Sequence, residues 1–158
     1  MAGGNKDKKP ENKVVARNRK AGFEYEILER LEAGIELTGT EVKTLRTGKI
    51  SLEEAYVRIQ GGEAFLVGAH IDEYAFGNRL NHEPKRRRKL LLHKHQIEKW
   101  STLAGEKGYT VVPLAMYFND RNMAKLEIAL GRGKKIHDKR QDKRKQQARR
   151  EMRDALRR

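Results

Sequence analysis

Cysteine is absent from all 158 positions, which excludes a disulfide framework, a thiol nucleophile and a thiolate metal site. No apolar run approaches the roughly 20 residues that a membrane-spanning helix needs. The first twelve residues, Met1 to Asn12, are rich in Lys, Gly and acids and carry no apolar stretch, unlike a secretory signal. A cytoplasmic location without membrane contact is therefore expected. Acids are also short: 22 Asp and Glu stand against 36 Lys and Arg, a formal charge of +14. A balance this basic calls for a polyanionic partner, and nucleic acid is the one left when a membrane is set aside.

The positive charge is unevenly placed. Residues 131–158 hold 13 Lys and Arg against four acids, so +9 of the +14 lies there, with only Ile136 and Leu156 of the chain's 34 Leu, Ile, Val and Phe residues. Such a segment buries too little to offset its ordering entropy, so it is expected to stay open until a partner arrives. Each Lys or Arg that meets a phosphate releases condensed counterions, which favours a nucleic-acid partner. Opposite charges at i, i+4 (Lys134 with Asp138, Arg150 with Asp154, Asp154 with Arg158) and a thin stripe of Ala148, Met152 and Leu156 suit a marginal helix formed on contact. Spacing alone leaves two readings open, a specific element or a nonspecific basic appendage.

Residues 1–12 read as a flexible basic N-terminus and 13–130 as one domain, mainly β. Val14 to Lys20 suits a short strand, and Arg19 to Glu24 a helical turn leading into Tyr25, Ile27 and Leu28. Thr38 followed by Glu41 has capping-box spacing before Val42 and Leu45, with Gly48 ending the short helix. Val57 and Ile59, the pair Gly61-Gly62, and Phe65, Val67, Ala69 and Ile71 at period two predict a hairpin. Asn78 to Lys89 reads as a polar loop. A helix is predicted over about Lys94 to Ala104, with Ile97, Trp100 and Ala104 on one face and Gly105 and Gly108 beyond its end. Val112, Leu114, Met116 and Phe118, a turn at Asn119 to Asn122, then Ala124, Leu126, Ile128 and Leu130 predict a second hairpin. This order matches a five- to six-stranded closed antiparallel barrel of the OB type, with a helix between the third and fourth main strands.

Few strings carry chemistry. Gly48-Lys49-Ile50-Ser51 imitates the end of a phosphate-binding loop, but Lys43 and Ile50 occupy places that need Gly and a hydroxyl. His93 and His95 are two apart with no third metal ligand in view. No Ser, His and acid grouping or paired-carboxylate motif indicates catalysis. No cofactor is expected either. Lys85, Arg86, Arg87, Arg88 and Lys89 are five cations in succession that repel one another and favour an anionic counterpart, so RNA contact is expected there. Trp100 reads as core. Glu32 reads as a surface acid, although a carboxylate also accepts from exocyclic amino groups of bases.

Five strings together resemble the family of tmRNA-binding proteins, also called small protein B or SsrA-binding proteins. They are Thr38-Gly39-Thr40-Glu41-Val42-Lys43 with Leu45-Arg46, then Glu63-Ala64-Phe65-Leu66, Lys89-Leu90-Leu91-Leu92-His93-Lys94, Gly108-Tyr109-Thr110-Val111-Val112-Pro113, and Gly133-Lys134-Lys135-Ile136-His137-Asp138-Lys139-Arg140. The resemblance implies a monomeric, non-enzymatic ribosome-rescue factor whose OB barrel binds the tRNA-like domain of transfer-messenger RNA, delivered with elongation factor Tu. It implies RNA contacts at Glu32, Leu91 and His93. It also implies that the tail becomes helical in the empty mRNA channel, with Gly133, Lys134, Lys135, His137, Asp138, Lys139 and Arg140 beside the decoding centre and its small-subunit rRNA. Other classes compatible with the composition are a general RNA-binding or ribosome-assembly protein and a small ribonuclease.

Overall fold

The computed structural model describes residues 13–77, 80–134 and 136–157, with the backbone alone at 136–139. The elements are β1 (Lys13–Arg17), α1 (Arg19–Glu24), β2 (Tyr25–Ile35), α2 (Gly39–Arg46), β3 (Ile50–Ser51), β4 (Tyr56–Gln60), β5 (Glu63–Val67), β6 (His70–Ile71), β7 (Arg88–Leu91), α3 (Lys94–Lys107), β8 (Thr110–Phe118), β9 (Ala124–Gly133) and α4 (Ile136–Leu156). The expected flexible N-terminus, residues 1–12, lies outside the described residues. The expected short helix at Thr38 forms as its capping box predicts: Thr38 accepts from the Glu41 amide, and the Glu41 carboxylate accepts from the Thr38 amide. Asn18 starts α1 by accepting from the Ala21 amide while its own amide donates to the Pro113 carbonyl, tying the helix to β8.

Seven antiparallel strands pair in the order β1-β8-β4-β5-β7-β2-β9, and β8 also pairs with β9. The pairings therefore run from β8 through β4, β5, β7, β2 and β9 back to β8. In chain order α3 follows the fourth of these six strands, not the third. The extra strand is β2, whose Glu, Leu, Arg and Ala are helix formers. Nine register pairs with β9 on one side and contact with β7 on the other override that local preference. The thinnest seam is β4 to β8, joined through Val57 and Val111. Leu66, Leu90, Met116, Leu126, Ile128 and Trp100 fill the interior, so Trp100 is core as expected. A smaller cluster of Ala21, Val112 and Ala129 lies under α1.

Two strands change phase midway, which simple alternation misses. In β5 the buried residues are Ala64 and Leu66, not Phe65 and Val67. Gly68 then adopts φ +82°, where a Cβ would meet the Glu54 carbonyl oxygen at 2.8 Å, and the turn it makes brings Ala69 and Ile71 inward. In β8 an irregularity between Pro113 and Ala115 divides Val112 and Leu114, which face the cluster under α1, from Met116 and Phe118 in the main core. Three boundaries also move. Gly105 lies inside α3, whose left-handed cap is Gly108. β9 runs past Leu130 to Gly133, which pairs with Tyr25. Within the segment expected to be open, Ile136–Leu156 form α4, and the segment is tied to α1 by the Lys134 amide on the Glu24 carbonyl at 2.9 Å and by Lys143 over the Phe23 ring.

The basic run is not a uniform solvated patch. Arg88 begins β7 with its side chain 0% exposed, ion-paired to the equally buried Glu41 of α2. Its guanidinium also donates to the Ala69 and Pro84 carbonyls at 3.1 Å each. Arg86 donates to the same carboxylate at 2.6 Å and to the Glu36 carbonyl at 3.2 Å. His82 bridges the same loop to its surroundings, contacting Thr40 and the Ile71 carbonyl at 2.9 Å each. Burial pushes the Glu41 carboxyl up, but Arg86, the Thr38 amide and Arg88 outweigh it and hold it below the ordinary 4.5. Burial and, to a lesser extent, the charge of Arg86 lower the Arg88 guanidinium, Glu41 partly restores it, and a group this basic stays charged.

A carboxyl held low in the fold stabilises fully above its unfolded value, and that stabilisation is lost as pH falls through the folded value. Glu41→Gln is expected to cost about 3–5 kcal/mol at pH 7, because it leaves Arg88 buried without its counterion. Urea unfolding of both proteins checks this: the gap narrows as pH drops below 4.5 and should not do so if the carboxylate is uninvolved.

Candidate nucleic-acid interface

With Arg88 and Leu90 turned inward, the alternation of β7 turns Lys89 and Leu91 outward. Leu91 is 51% exposed, unusual for a leucine on a strand that pairs on both sides. Its register partner on β2 is Gly34, where a Cβ would come within 3.1 Å of the Leu91 Cβ. Glycine there lets Leu91 lie down against the β2 backbone. The result is a groove of about 620 Å³ lined by Glu32, Lys89, Leu91, His93, Lys94 and Lys125, among others. His93 stands at the start of α3, its amide donating to Gln96 at 3.1 Å, and its ring stacks on His95 at 5.6 Å between centroids. Lys89 pairs with Glu63 across the groove wall at 3.2 Å.

Four of the eight residues expected to touch RNA thus meet in one place: Glu32, Lys89, Leu91 and His93. Lys85, Arg86, Arg87 and Arg88 do not line it. Lys85 is exposed on the approach to β7, and Arg87 stacks over the Phe65 ring at 4.1 Å. Arg88 has no surface to offer a ligand, because its partner Glu41 is inside. Sequence reasoning missed Lys94 and Lys125. Lys125 is the register partner of Gly34 on β9, and only the pairing reveals that it faces the groove.

Glu32 is not a lone surface acid. The Tyr117 hydroxyl donates to its carboxylate. The Tyr117 hydroxyl's proton affinity is raised first by burial, then by its bond to Glu32 and the charges of Glu32 and Glu127. The groove can therefore offer an oriented acceptor, three lysines, an apolar side chain and an imidazole face. That set can grip phosphate, accept from a base amino group and stack against a base. Among the described residues no three His, Cys, Asp or Glu side chains converge to hold a metal, and no helix is long and apolar enough to cross a membrane.

The tail residues sit elsewhere. Gly133 pairs with Tyr25 at the far end of β2 from Gly34, a separation of roughly 30 Å at strand rise. The Lys134 ammonium meets the Gly22 carbonyl at 3.2 Å and the Asp142 carboxylate, and Arg140 is exposed on α4. Lys135 and the side chains of His137, Asp138 and Lys139 lie outside the described residues.

The model of the SmpB protein family matches residues 15–158. An SsrA-binding protein of Mesorhizobium japonicum is 54% identical over 132 residues, 84% of this chain and 83% of that one. One from a Methylobacterium species is 58% identical over 132 residues, covering 84% of each. A solved structure described as "tmRNA-SmpB: a journey to the center of the bacterial ribosome" superposes with a TM-score of 0.64 at 47% identity, covering 77% of this chain and 85% of that one. The family match and these identities span most of the chain, and the chain belongs to the SmpB protein family.

Proposed function

We propose that this chain binds the tRNA-like domain of transfer-messenger RNA and brings it to ribosomes stalled on truncated messages, as a cytoplasmic, monomeric, non-enzymatic factor of trans-translation. The observation that carries the reading is the groove beside β7, which gathers Glu32, Lys89, Leu91, His93 and Lys125 around one concave surface. Family membership supplies the RNA's identity. The ring of strand pairings supports an OB-type closed barrel as the RNA-binding body, with its boundary moved from Leu130 to the end of β9.

The tail is the second working part. Its anchorage to α1, far from the groove, supports a division in which the body holds RNA while α4 reads the empty mRNA channel through Gly133, Lys134, Lys135, His137, Asp138, Lys139 and Arg140. A channel still filled with message would exclude it by volume and charge. Elongation factor Tu enters as the carrier of the charged RNA, not as a contact of the groove.

Ending the chain after Lys134 is expected to preserve the preference for the tRNA-like domain over ordinary tRNA, since bulk tail charge adds mainly salt-sensitive binding that does not discriminate between RNAs. Peptide tagging on ribosomes stalled with truncated mRNA should be abolished. Equal loss of both would merge the two parts. Within the groove, Glu32→Gln should cost about 1–3 kcal/mol of RNA binding if the carboxylate accepts from a base edge; a plain surface acid would give a slight gain. Glu63→Gln should tighten binding by up to about 1 kcal/mol, because Lys89 is released from an exposed pair. Filter-binding titrations at one fixed salt concentration read both signs.

A further inference from the structure

The groove's acceptor, Glu32, is held by a residue that the RNA-binding reading does not need for packing. Tyr117 lies on β8 between Met116 and Phe118, 6% exposed, and phenylalanine would fill that place as well. Its hydroxyl reaches over β9 to Glu32 on β2. That is two strand spacings, roughly 9.5 Å, which a tyrosine and a glutamate bridge only when both extend toward each other. The outward residues of β9 under this bond are Lys125, the register partner of Tyr117, and Glu127, the register partner of Glu32.

Two carboxylates directly opposite on neighbouring strands repel. Arg30 takes up Glu127 at 3.2 Å, and Tyr117 takes up Glu32. Glu32 is otherwise exposed, and among the described residues the Tyr117 hydroxyl is the hydrogen-bond donor to its carboxylate. With it, one carboxylate oxygen is occupied by a donor, which leaves the other as an acceptor on a residue that lines the groove with Lys125 and Leu91. An acceptor fixed in that way discriminates for the exocyclic amino group of a base and against a carbonyl.

We propose that Tyr117 is a positioning residue of the RNA site: its hydroxyl fixes Glu32 so that the free carboxylate oxygen selects a base bearing an exocyclic amino group. This rests on the groove being the RNA site. Burial and the Glu32 carboxylate both keep the hydroxyl protonated, so the donor persists at neutral pH.

A double-mutant cycle in the full-length chain decides it, with a transcript of a tmRNA tRNA-like domain as the probe. Tyr117→Phe should weaken binding about three- to tenfold, while in a Glu32→Gln background the same change should alter it less than about 1.5-fold. Equal weakening in both backgrounds would make Tyr117 a packing residue and overturn the proposal. So would full affinity in Tyr117→Phe when Glu32→Gln alone weakens binding. No effect from Glu32→Gln would instead overturn the groove reading itself, and the positioning role with it. Melting temperatures of the four proteins complete the cycle: a large drop confined to Tyr117→Phe, with affinity lost equally in both backgrounds, marks a structural role.

Discussion

Glu41 and Arg88 neutralise each other in the interior, and that pair fixes more of the surface than any exposed residue does. Two buried charges cost several kcal/mol each to desolvate, repaid only when their geometry and remaining hydrogen bonds are complete. Here the second carboxylate oxygen goes to Arg86 and the Thr38 amide, and the remaining guanidinium donors go to carbonyls. The pair pins α2 to the first residue of β7. Since side chains alternate along a strand, Arg88 inward means Lys89 and Leu91 outward, and a slip of one residue would turn the groove inside out.

The long strand β2 then relates the two working regions. One end carries Glu32 and Gly34 to the groove; the other pairs Tyr25 with Gly133, where α4 departs. A paired strand between them keeps the groove and the start of α4 at a fixed spacing, as the proposed division of labour requires. The groove itself carries little net charge: Glu32 and Glu63 sit among Lys89, Lys94 and Lys125, three cations against two acids. Phosphate attraction there is tempered, leaving room for base-edge discrimination.

Much of this was legible in the sequence, and the failures have physical causes. The capping box at Thr38, the hairpin around Gly61-Gly62 and the core role of Trp100 follow from local rules and hold. The phase of β5 and β8 does not, because Gly68 and the irregularity after Pro113 shift alternation without changing composition. β2 was obscured by helix-forming residues that only pairing from both sides holds extended. At the site, Glu32, Leu91 and His93 came from family strings, not from physics, since an acid before Ala33-Gly34 and an apolar residue in an apolar run carry no local signal. Within the run Lys85 to Lys89, charge counting ignores burial at Arg88: nothing local says that Glu41, 47 positions earlier, lies inside as its partner. Lys125 and Tyr117 become visible only through strand register.

The central claim is that Arg88 turns inward to Glu41 and does not touch RNA bound at the proposed groove. Replacing the pair by apolar residues, Glu41→Leu with Arg88→Met, removes both charges together, an exchange that is often neutral or stabilising by about 1–4 kcal/mol. The decisive measurement is the affinity of that double variant for a tmRNA tRNA-like domain at fixed salt, beside its urea midpoint. The account predicts a folded protein that binds within about threefold of the unaltered chain. A folded double variant whose affinity falls tenfold or more would contradict it, because Arg88 would then be a contact and not a support.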